Sequence, residues 1–313
     1  MWRVERFWTS VITSGDEIYF TEQGSLDVLG NPLPGDEGKE ALWKARYPDA
    51  APTRIAALDG THNTILARVH DKTYIEQYPK LLVVSDGGTV TERELPGGTH
   101  LAQVADSGVY FVRSDTGVAR IALDEDGALL GDAEDVLPPQ TGFVRNLFTS
   151  DRLWLQLDEE VCAYDLADLS AAPICNGLGP FGGVFSVGQG TAFISDTIIP
   201  SIGQWEITND TWRNLYKGDD RSSVSPTVAG DFIYSWLTEF TMPQTSMLVR
   251  IPTVGPAELP TALISEEVAN AAVLGQAAFG SGVVSPQVTS EGVYWQQPRN
   301  SELSRYIFRL PRE

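Results

Sequence analysis

The sequence is poor in the residues from which most metal and acid–base sites are built. It contains only three His and two Cys among 313 residues, and none of them falls in a metal-binding spacing. His62 and His70 flank a candidate strand that separates them by about 26 Å, so they are not expected to share a metal. Ser225 and Ser285 precede Pro and have no His partner at matching positions, which argues against nucleophilic catalysis. No local motif therefore indicates an enzyme.

Positive charge and long apolar runs are also scarce. There are 22 Lys and Arg against 42 Asp and Glu, a net charge of -20, which repels nucleic acid and anionic lipid surfaces. The most apolar segment, Val268–Val284, is interrupted by Asn270, Gln276 and several Gly, and is too polar to span a bilayer. We expect a soluble, acidic protein with no nucleic-acid partner and no membrane insertion.

The first residues, Met1–Arg6, lack the apolar region of a signal peptide. Two locations fit this beginning. One is extracytoplasmic (periplasmic, surface or secreted), with a leader that precedes the sequence; the alternative is cytoplasmic.

Helical periodicity is nearly absent from the chain, and only Glu37–Tyr47 reads as a short amphipathic helix. The rest repeats a strand pattern in which an apolar residue is followed, six residues later and across a turn, by an aromatic residue with an apolar neighbour. The copies are Val104 to Tyr110, Phe148 to Trp154, Val187 to Phe193, Val228 to Tyr234 and Val288 to Tyr294. Ile18-Tyr19 is an earlier copy, and the spacing leaves room for another around Ile65-Leu66.

Seven units of four short strands, at intervals near 45 residues, predict an all-β fold, a β-propeller with seven four-stranded blades, with six or eight as alternatives. The whole chain, residues 1–313, is then one domain. The last unit ends one strand short, whereas Trp2–Arg6 alternates apolar and polar residues as a strand does. We therefore expect the N-terminal segment to complete the last blade and close the propeller.

The pairs Ile18-Tyr19-Phe20 and Val293-Tyr294-Trp295, with strand ends such as Arg250-Ile251-Pro252, resemble the repeats of bacterial TolB-like and sensor-type β-propellers. The resemblance covers most of the chain and concerns the style of the repeats. Those families include protein-binding, scaffolding, sugar-binding, metal-binding and lyase members, so the resemblance implies a fold rather than one activity.

Cys162 and Cys175 lie on either side of a predicted turn at Ala167–Ala172. A hairpin centred between Asp168 and Leu169 places them directly opposite each other, close enough for a disulfide. The alternative is a pair of reduced, packed thiols. A disulfide would favour an extracytoplasmic location.

Three further segments match functional motifs by letter, and the contexts of the first two favour structural roles. Gly177–Gly182 matches a dinucleotide fingerprint but leads into a strand rather than a helix, so it is interpreted as a blade junction. Asp124–Gly127, followed by Asp132, Glu134 and Asp135, lacks the ligand spacing of an EF-hand and is interpreted as a hairpin turn. Asn209–Thr211 is both a glycosylation sequon and a plain turn.

A binding site, if the fold is a propeller, is expected on one face, which we call the channel-mouth face. It carries the connections between blades and the loops that join second to third strands. We assign the segments His70–Tyr78, Asp196–Pro200 and Glu239–Pro243 to it as loops. Aromatic, Met, His and Arg side chains there are suited to anchoring a partner. The candidate rim residues are His70, Tyr74, Tyr78, His100, Phe143, Phe181, Arg221, Phe240 and Met242.

Two functions remain open on this basis. The favoured one is a non-catalytic binding or scaffold propeller, monomeric and without a cofactor, that recognises a protein or a saccharide on the channel-mouth face. The alternative is a propeller hydrolase or lyase with carboxylates, and His100 or Arg221, at the channel mouth, with or without Ca2+. Propeller active sites combine residues from different blades, so an enzyme of this kind need not show a local motif.

Overall fold

The fold was analysed in a computed structural model. The residues it describes are 2–4, 8–22, 40–46, 51–58, 63–97, 99–113, 117–140, 144–178, 182–188, 190–196, 201–217, 221–239, 246–254, 261–265, 286–298 and 305–311. They contain strands and turns, and no helix long and apolar enough to cross a membrane occurs in these ranges.

The described strands form seven four-stranded antiparallel sheets, so the chain is an all-β, seven-bladed β-propeller. They belong to two compact units, residues 1–141 with 289–296 and 303–313, and residues 142–288 with 297–302. The expectation of a single domain over residues 1–313 stays a prediction.

Blades I to III lie in the first unit. Blade I consists of β2 (Trp8–Ser14), β3 (Glu17–Glu22), β4 (Ala41–Arg46) and β5 (Thr53–Ala57). Blade II consists of β6 (Thr64–Val69), β7 (Lys72–Gln77), β8 (Lys80–Ser85) and β9 (Val90–Glu94). Blade III consists of β10 (His100–Ala105), β11 (Gly108–Val112), β12 (Val118–Leu123) and β13 (Leu129–Leu137).

Blades IV to VI lie in the second unit. Blade IV consists of β14 (Asn146–Thr149), β15 (Arg152–Gln156), β16 (Glu160–Asp165) and β17 (Ile174–Gly177). Blade V consists of β18 (Gly182–Gly188), β19 (Thr191–Asp196), β20 (Ser201–Glu206) and β21 (Thr211–Lys217). Blade VI consists of β22 (Arg221–Ala229), β23 (Phe232–Glu239), β24 (Ser246–Pro252) and β25 (Thr261–Ser265).

Blade VII is closed by the N-terminus, as the sequence predicted. Its strands are β26 (Gln287–Val288), β27 (Gly292–Pro298), β28 (Arg305–Pro311) and β1 (Trp2–Val4), in the order β1-β28-β27-β26. Strand β1 pairs antiparallel with β28, with Trp2 opposite Ile307 and Val4 opposite Arg305. Ser290 of blade VII also donates a hydrogen bond to the Asp16 carboxylate of blade I. The last blade is therefore built from both ends of the chain.

The second strand of each blade carries the repeated aromatic residue because that strand is covered on both faces. Strands buried on both faces read as continuous apolar runs instead of alternating with polar residues. Tyr19, Tyr110, Trp154 and Tyr234 are each at most 1% exposed. The aromatic repeat is thus a core signature, and the predicted copy around Ile65-Leu66 is confirmed as the first strand of blade II.

The segment predicted as a helix, Glu37–Tyr47, contains a strand instead, so this prediction was wrong. Residues 41–46 pair along their whole length with β3, from Ala41 opposite Glu22 to Arg46 opposite Glu17. Leu42 is 0% exposed. Pairing with β3 and burial of Leu42 outweigh a local helical preference that amounts to a few tenths of a kcal/mol per residue, about 0.7 at most.

The segment 70–78 is also not the long loop that was expected, because it contains the second strand of blade II. Ala67 pairs with Tyr74 across the β6–β7 hairpin. The surrounding Asp71, Lys72 and Glu76 give this strand a polar composition typical of a loop. Its correct assignment separates His70, in the turn between first and second strands, from Tyr78, in the turn between second and third strands.

Candidate binding cleft between blades IV and V

The predicted rim residues fall at several different places. Tyr78 lies in the expected second-to-third-strand turn and is 63% exposed. His70 is exposed, but at the opposite ends of the strands. Tyr74 is 0% exposed, so it packs inside its blade and its inclusion at an exposed rim was wrong.

For the other rim candidates the structure gives only positions in the chain. His100 begins β10 and Arg221 begins β22, each the first strand of its blade. Phe143, Phe181, Phe240 and Met242 lie outside the described residues, as does His62. Their role at the rim stays a prediction.

Tyr74 instead ties blade II to blade III. Its phenol donates a hydrogen bond to the backbone oxygen of Gly127 in the β12–β13 turn, and Lys72 Nζ donates to Asp126 O at 2.6 Å. Burial, and then the charges of Asp124 and Asp71, raise the pKa of Tyr74 to about 12. A neutral phenol is therefore held between the two blades.

The acidic turn that includes Asp124 is a hairpin turn, as predicted. The Asp124 carboxylate accepts hydrogen bonds from the backbone N–H of Asp126 at 3.0 Å and of Ala128 at 2.7 Å. This is the local bonding by which Asp stabilises turns. Asp132 and Asp135 form exposed ion pairs with Arg93 and Arg113.

A concave site lies between blades IV and V, with a volume of about 290 Å3. Its lining comes from the end of blade IV, the start of blade V and the outer part of blade V. The lining residues are Asn176, Gly177, Leu178, Gly182, Ile194, Ser201 and Trp212. We call this site the IV/V cleft.

Alternation along β17 builds one wall of the IV/V cleft. Ile174, Asn176 and Leu178 point to the same side, because successive side chains of a strand alternate between faces. Leu178 is 8% exposed and packs in a cluster with Val184 and Ile194 of blade V. Ile174 remains 44% exposed. Of these three residues, Asn176 and Leu178 line the cleft, together with Gly177.

Trp212 forms the opposite wall. It pairs across β20–β21 with Trp205, which is 0% exposed and packs edge-on against Trp154 of blade IV at 6.0 Å. Paired residues share a face, so Trp212 faces blade IV as well. Its indole lies over Gly203, where a Cβ would come within 2.2 Å of Cζ2. Gly203 therefore makes room for a Trp that is 48% exposed.

A hydrogen-bond network holds the two walls in position. Asp210 Oδ1 accepts from Trp205 Nε1 at 3.0 Å and from Asn176 Nδ2 at 3.1 Å. Trp212 Nε1 donates to Asn214 Oδ1 at 3.1 Å. Asp210 lies in the Asn209–Thr211 turn with φ of 48°, so this segment is a hairpin turn as predicted. The turn connects blade V to the wall supplied by β17.

The disulfide predicted from the hairpin register is present and fixes β17. Cys162 pairs directly with Cys175 across β16–β17, and the two sulfur atoms are bonded at 2.08 Å. The Glu160 carboxylate and the two sulfur atoms form the one metal-like cluster of the described residues. Because a metal binds a thiolate, the disulfide removes both sulfur atoms from consideration as metal ligands.

The polar character near the cleft is mainly negative. Glu159 is exposed at the turn that precedes β16, and Glu160, the first residue of β16, is exposed opposite Gly177 at the end of β17. The charge of Glu160, after burial, raises the pKa of Tyr164. Asp210 adds a third carboxylate. Lys217, paired with Ser201 in the register, is a positive residue on the bordering strand.

None of the residues that line the IV/V cleft is among the candidate rim residues, although some lie next to segments that the sequence analysis singled out. Gly177–Gly182 is a blade junction, as predicted, since β17 ends at Gly177 and β18 begins at Gly182. Gly182 follows the rim candidate Phe181, and Ser201 follows the predicted loop Asp196–Pro200. Trp212 and Gly203 were missed because their proximity depends on the β20–β21 register. The available signal was a Trp in a polar, exposed strand together with a Gly in the preceding strand.

Comparisons with known proteins support the fold alone. No protein-family profile and no curated protein matches the chain. The β-propeller domain of Cps50 (Swd1) from Myceliophteria thermophila is 8% identical, with a TM-score of 0.62, over 98% of this chain and 99% of that one. YCF48 bound to D1 peptide is 10% identical, with a TM-score of 0.61, over 99% and 94% of the two chains.

The computationally designed Ika8 protein is a third similar structure. It is 11% identical, with a TM-score of 0.58, and the similarity covers 98% of each chain. At these identities the shared property is the propeller fold. The resemblance to propellers is therefore confirmed, and membership of the TolB-like or sensor-type families stays a prediction.

Proposed function

We propose that this protein is a non-catalytic binding propeller that holds a segment of a partner protein in the IV/V cleft. The observation that carries the proposal is the half-exposed indole of Trp212 on the wall of a concave site that Leu178 and Ile194 make apolar. Exposed aromatic residues beside a pocket are the usual anchors of protein interfaces.

The size and lining of the cleft favour a protein segment over a saccharide. Small-molecule sites generally measure about 300–1,000 Å3, so a cleft of about 290 Å3 suits one or two side chains. Leu178 and Ile194 give it an apolar floor, and Asn176 and Ser201 are its polar side chains. A saccharide would need more polar partners for its hydroxyl groups.

The similar structures are compatible with this function. YCF48 was solved bound to D1 peptide, and a chain that is 8% identical, with a TM-score of 0.57, occurs in a mitotic checkpoint complex. A propeller fold thus accommodates protein partners. Gly182 and Ser201 of the cleft follow Phe181 and Asp196–Pro200 in the chain, two places that the sequence assigns to the channel-mouth face.

The setting of the interaction is proposed to be extracytoplasmic, since the disulfide is typical of oxidising compartments. The protein would act there as a monomer. The alternative of a hydrolase or lyase, with or without Ca2+, stays a prediction that no observation in the described residues favours.

The proposal is tested with peptides selected from a random 12-residue display library on the immobilised protein. Synthetic fluorescein-labelled peptides are then titrated with the wild type and the variants by fluorescence polarisation. Trp212→Ala should weaken binding tenfold or more, about the loss expected for an interface anchor. Leu130→Ala is the matched control, because Leu130 is also an outer-strand residue that is 48% exposed.

Three results would contradict the proposal. The selection yields no peptide with measurable affinity; Trp212→Ala and Leu130→Ala bind alike; or Tyr78→Ala abolishes binding while Trp212→Ala retains it, which would move the site to blade II. Binding of a glycan array by the wild type, and not by Trp212→Ala, would assign the cleft to a saccharide instead.

A further inference from the structure

The outer strand β17 is the free edge of blade IV and forms one wall of the IV/V cleft. In the described sheet order β14-β15-β16-β17, no strand follows β17. An edge strand presents unpaired backbone N–H and C=O groups, which natural proteins usually protect with charged residues or Pro. The exposed backbone of β17 is therefore a second feature of the cleft, separate from Trp212.

The hydrogen-bond pattern identifies which backbone groups of β17 point outward. Leu178 N donates to Glu159 O at 2.6 Å, so these two residues form a hydrogen-bonded pair. Such pairs alternate with non-hydrogen-bonded pairs in an antiparallel ladder. Cys175 opposite Cys162 and Gly177 opposite Glu160 belong to the second kind. The Cα–Cα distance of 4.1 Å between the two Cys agrees with this. The N–H and C=O of Cys175 and Gly177 thus point away from β16.

The composition of β17 is unusual among the outer strands. Of the seven outer strands in the described residues, only β17 and β25 contain no charged residue. Strand β13, for comparison, carries Asp132, Glu134 and Asp135, and β9 carries Glu92, Arg93 and Glu94. The disulfide at Cys175 holds β17 on its sheet, so the edge is preorganised without the usual protection.

We propose that the partner segment binds as an extended, basic strand added to the edge of β17; this inference rests on the proposed function of the IV/V cleft. Its backbone exchanges hydrogen bonds with Cys175 and Gly177. Alternate side chains then point into the cleft toward Trp212, as in other cases of strand addition.

Charge selects the sequence of the segment. Glu160 lies opposite Gly177 on β16, and Glu159 precedes it in the exposed turn. The Asp210 carboxylate accepts a hydrogen bond from Asn176 of β17. Lys217 is the positive residue on the bordering strand β21. The chain as a whole carries a net charge of -20. Arg or Lys on the solvent side of the added strand complements this field, whereas Asp or Glu there is repelled.

Replacing the outward N–H tests the strand addition. Gly177→Pro removes a donor that β16 does not use, at an edge position where Pro is tolerated. The matched control is Glu94→Pro in the outer strand of blade II. Leu95 N donates to Pro79 O, just as Leu178 N donates to Glu159 O. Glu94 therefore has the same position in blade II that Gly177 has in blade IV. The probe is the fluorescein-labelled peptide selected on the wild type, and the readout is its Kd with the melting temperature of each variant.

Gly177→Pro should weaken the peptide about tenfold or more, as expected when an edge hydrogen bond is lost and its acceptor remains, and Glu94→Pro should leave it unchanged. Two N-methylated peptides are compared, each methylated at one of the two alternating sets of residues. One of them should bind more weakly than the unmethylated peptide, and the other should bind equally well. The selected peptides should be enriched in Arg and Lys. The double variant Glu159→Gln with Glu160→Gln should bind these peptides more weakly than the wild type does.

The outcomes separate this inference from the proposed function. If Trp212→Ala weakens the peptide and Gly177→Pro does not, although both melt as the wild type does, the cleft binds a segment without strand addition. If both N-methylated forms bind equally, strand addition is likewise overturned, and this holds even where Gly177→Pro fails to fold. Enrichment of acidic peptides overturns the charge assignment. If both Trp212→Ala and Gly177→Pro bind the peptide as the wild type does, the IV/V cleft is not the binding site, and the proposed function is overturned as well.

Discussion

Removal of the Cys162–Cys175 disulfide should lower the stability of the protein by an amount set by the loop that it closes. The two Cys are separated by 13 positions in the sequence. A cross-link over a loop of that length restricts the unfolded chain by about 3 kcal/mol. Replacing the Cys162 side chain, which is 2% exposed, with Ala adds a loss below about 1 kcal/mol.

The expected change in melting temperature follows from the size of the chain. An unfolding entropy of roughly 2.1 cal/mol/K per residue over 313 residues converts about 3 kcal/mol into a decrease of roughly 4–5 °C. The double variant Cys162→Ala with Cys175→Ser is melted beside the wild type and followed by circular dichroism. The relation holds for a cooperative transition, which a second probe, tryptophan fluorescence, checks by giving the same midpoint.

The reducing agent dithiothreitol supplies the control for this prediction. It should lower the melting temperature of the wild type to that of the double variant, and leave the double variant unchanged. Two results would refute the assigned role of the bridge in holding β17. One is a double variant that is as stable as the wild type. The other is a reduced wild type, with both thiols shown to be free by alkylation, whose melting temperature is unchanged.

Three further predictions concern the ends of the chain, the blade II–III contact and the cleft. Deletion of residues 1–7 removes β1 from blade VII and should lower the melting temperature by many degrees; an unchanged melt would contradict closure by the N-terminus. Since the pKa of Tyr74 is about 12 in the fold and near 10 in an unfolded chain, the unfolded chain loses this proton first. Its stabilising contribution, complete below pH 10, should then be lost between about pH 10 and 12. Tyr74→Phe should show a shallower alkaline loss of stability in denaturant titrations, and an identical slope would count against the assignment. Gly203→Ala should displace the indole of Trp212, shift its fluorescence and weaken the binding of the selected peptide. Gly188→Ala, which has nothing within 4 Å of the added Cβ, should change neither the fluorescence nor the binding. Equal behaviour of the two variants would show that the position of the indole does not depend on Gly203.

The inner part of each blade could be predicted from sequence because burial on both faces imposes an apolar run. Ile18-Tyr19-Phe20 and Val293-Tyr294-Trp295 mark second strands for this reason, and the spacing of such runs led to seven blades. The opposed Cys pair was equally predictable, since a short hairpin determines its own register. Closure by Trp2–Val4 followed from the missing strand of the last unit.

Strands whose composition conflicts with their position were not predictable. Ala41–Arg46 has residues that suit a helix, and only its pairing with β3 decides the outcome. Lys72–Gln77 is polar apart from Tyr74 and Ile75, and so resembles a loop. The outer strands β5, β9, β13 and β17 are largely exposed and carry little apolar signal.

The site was predictable only at its margins for a related reason. Inter-blade connections are expected near a propeller's binding face, which identified the neighbourhood of Gly177–Gly182 and Asp196–Pro200. The IV/V cleft itself depends on Trp212 meeting Gly203 across one strand pair and Asn176 meeting Asp210 across two blades. Contacts between residues of different blades leave no local pattern in a single sequence.

Hydrogen exchange measured by mass spectrometry, with and without a selected peptide, tests the central claim most directly. If the IV/V cleft binds a protein segment along the edge of β17, the amides of residues 174–178 and 201–214 should exchange more slowly in the complex, while those of the matching blade II segment, residues 90–95, stay unchanged. Protection confined to residues 70–78, or the absence of any protection at a saturating peptide concentration, would contradict the account.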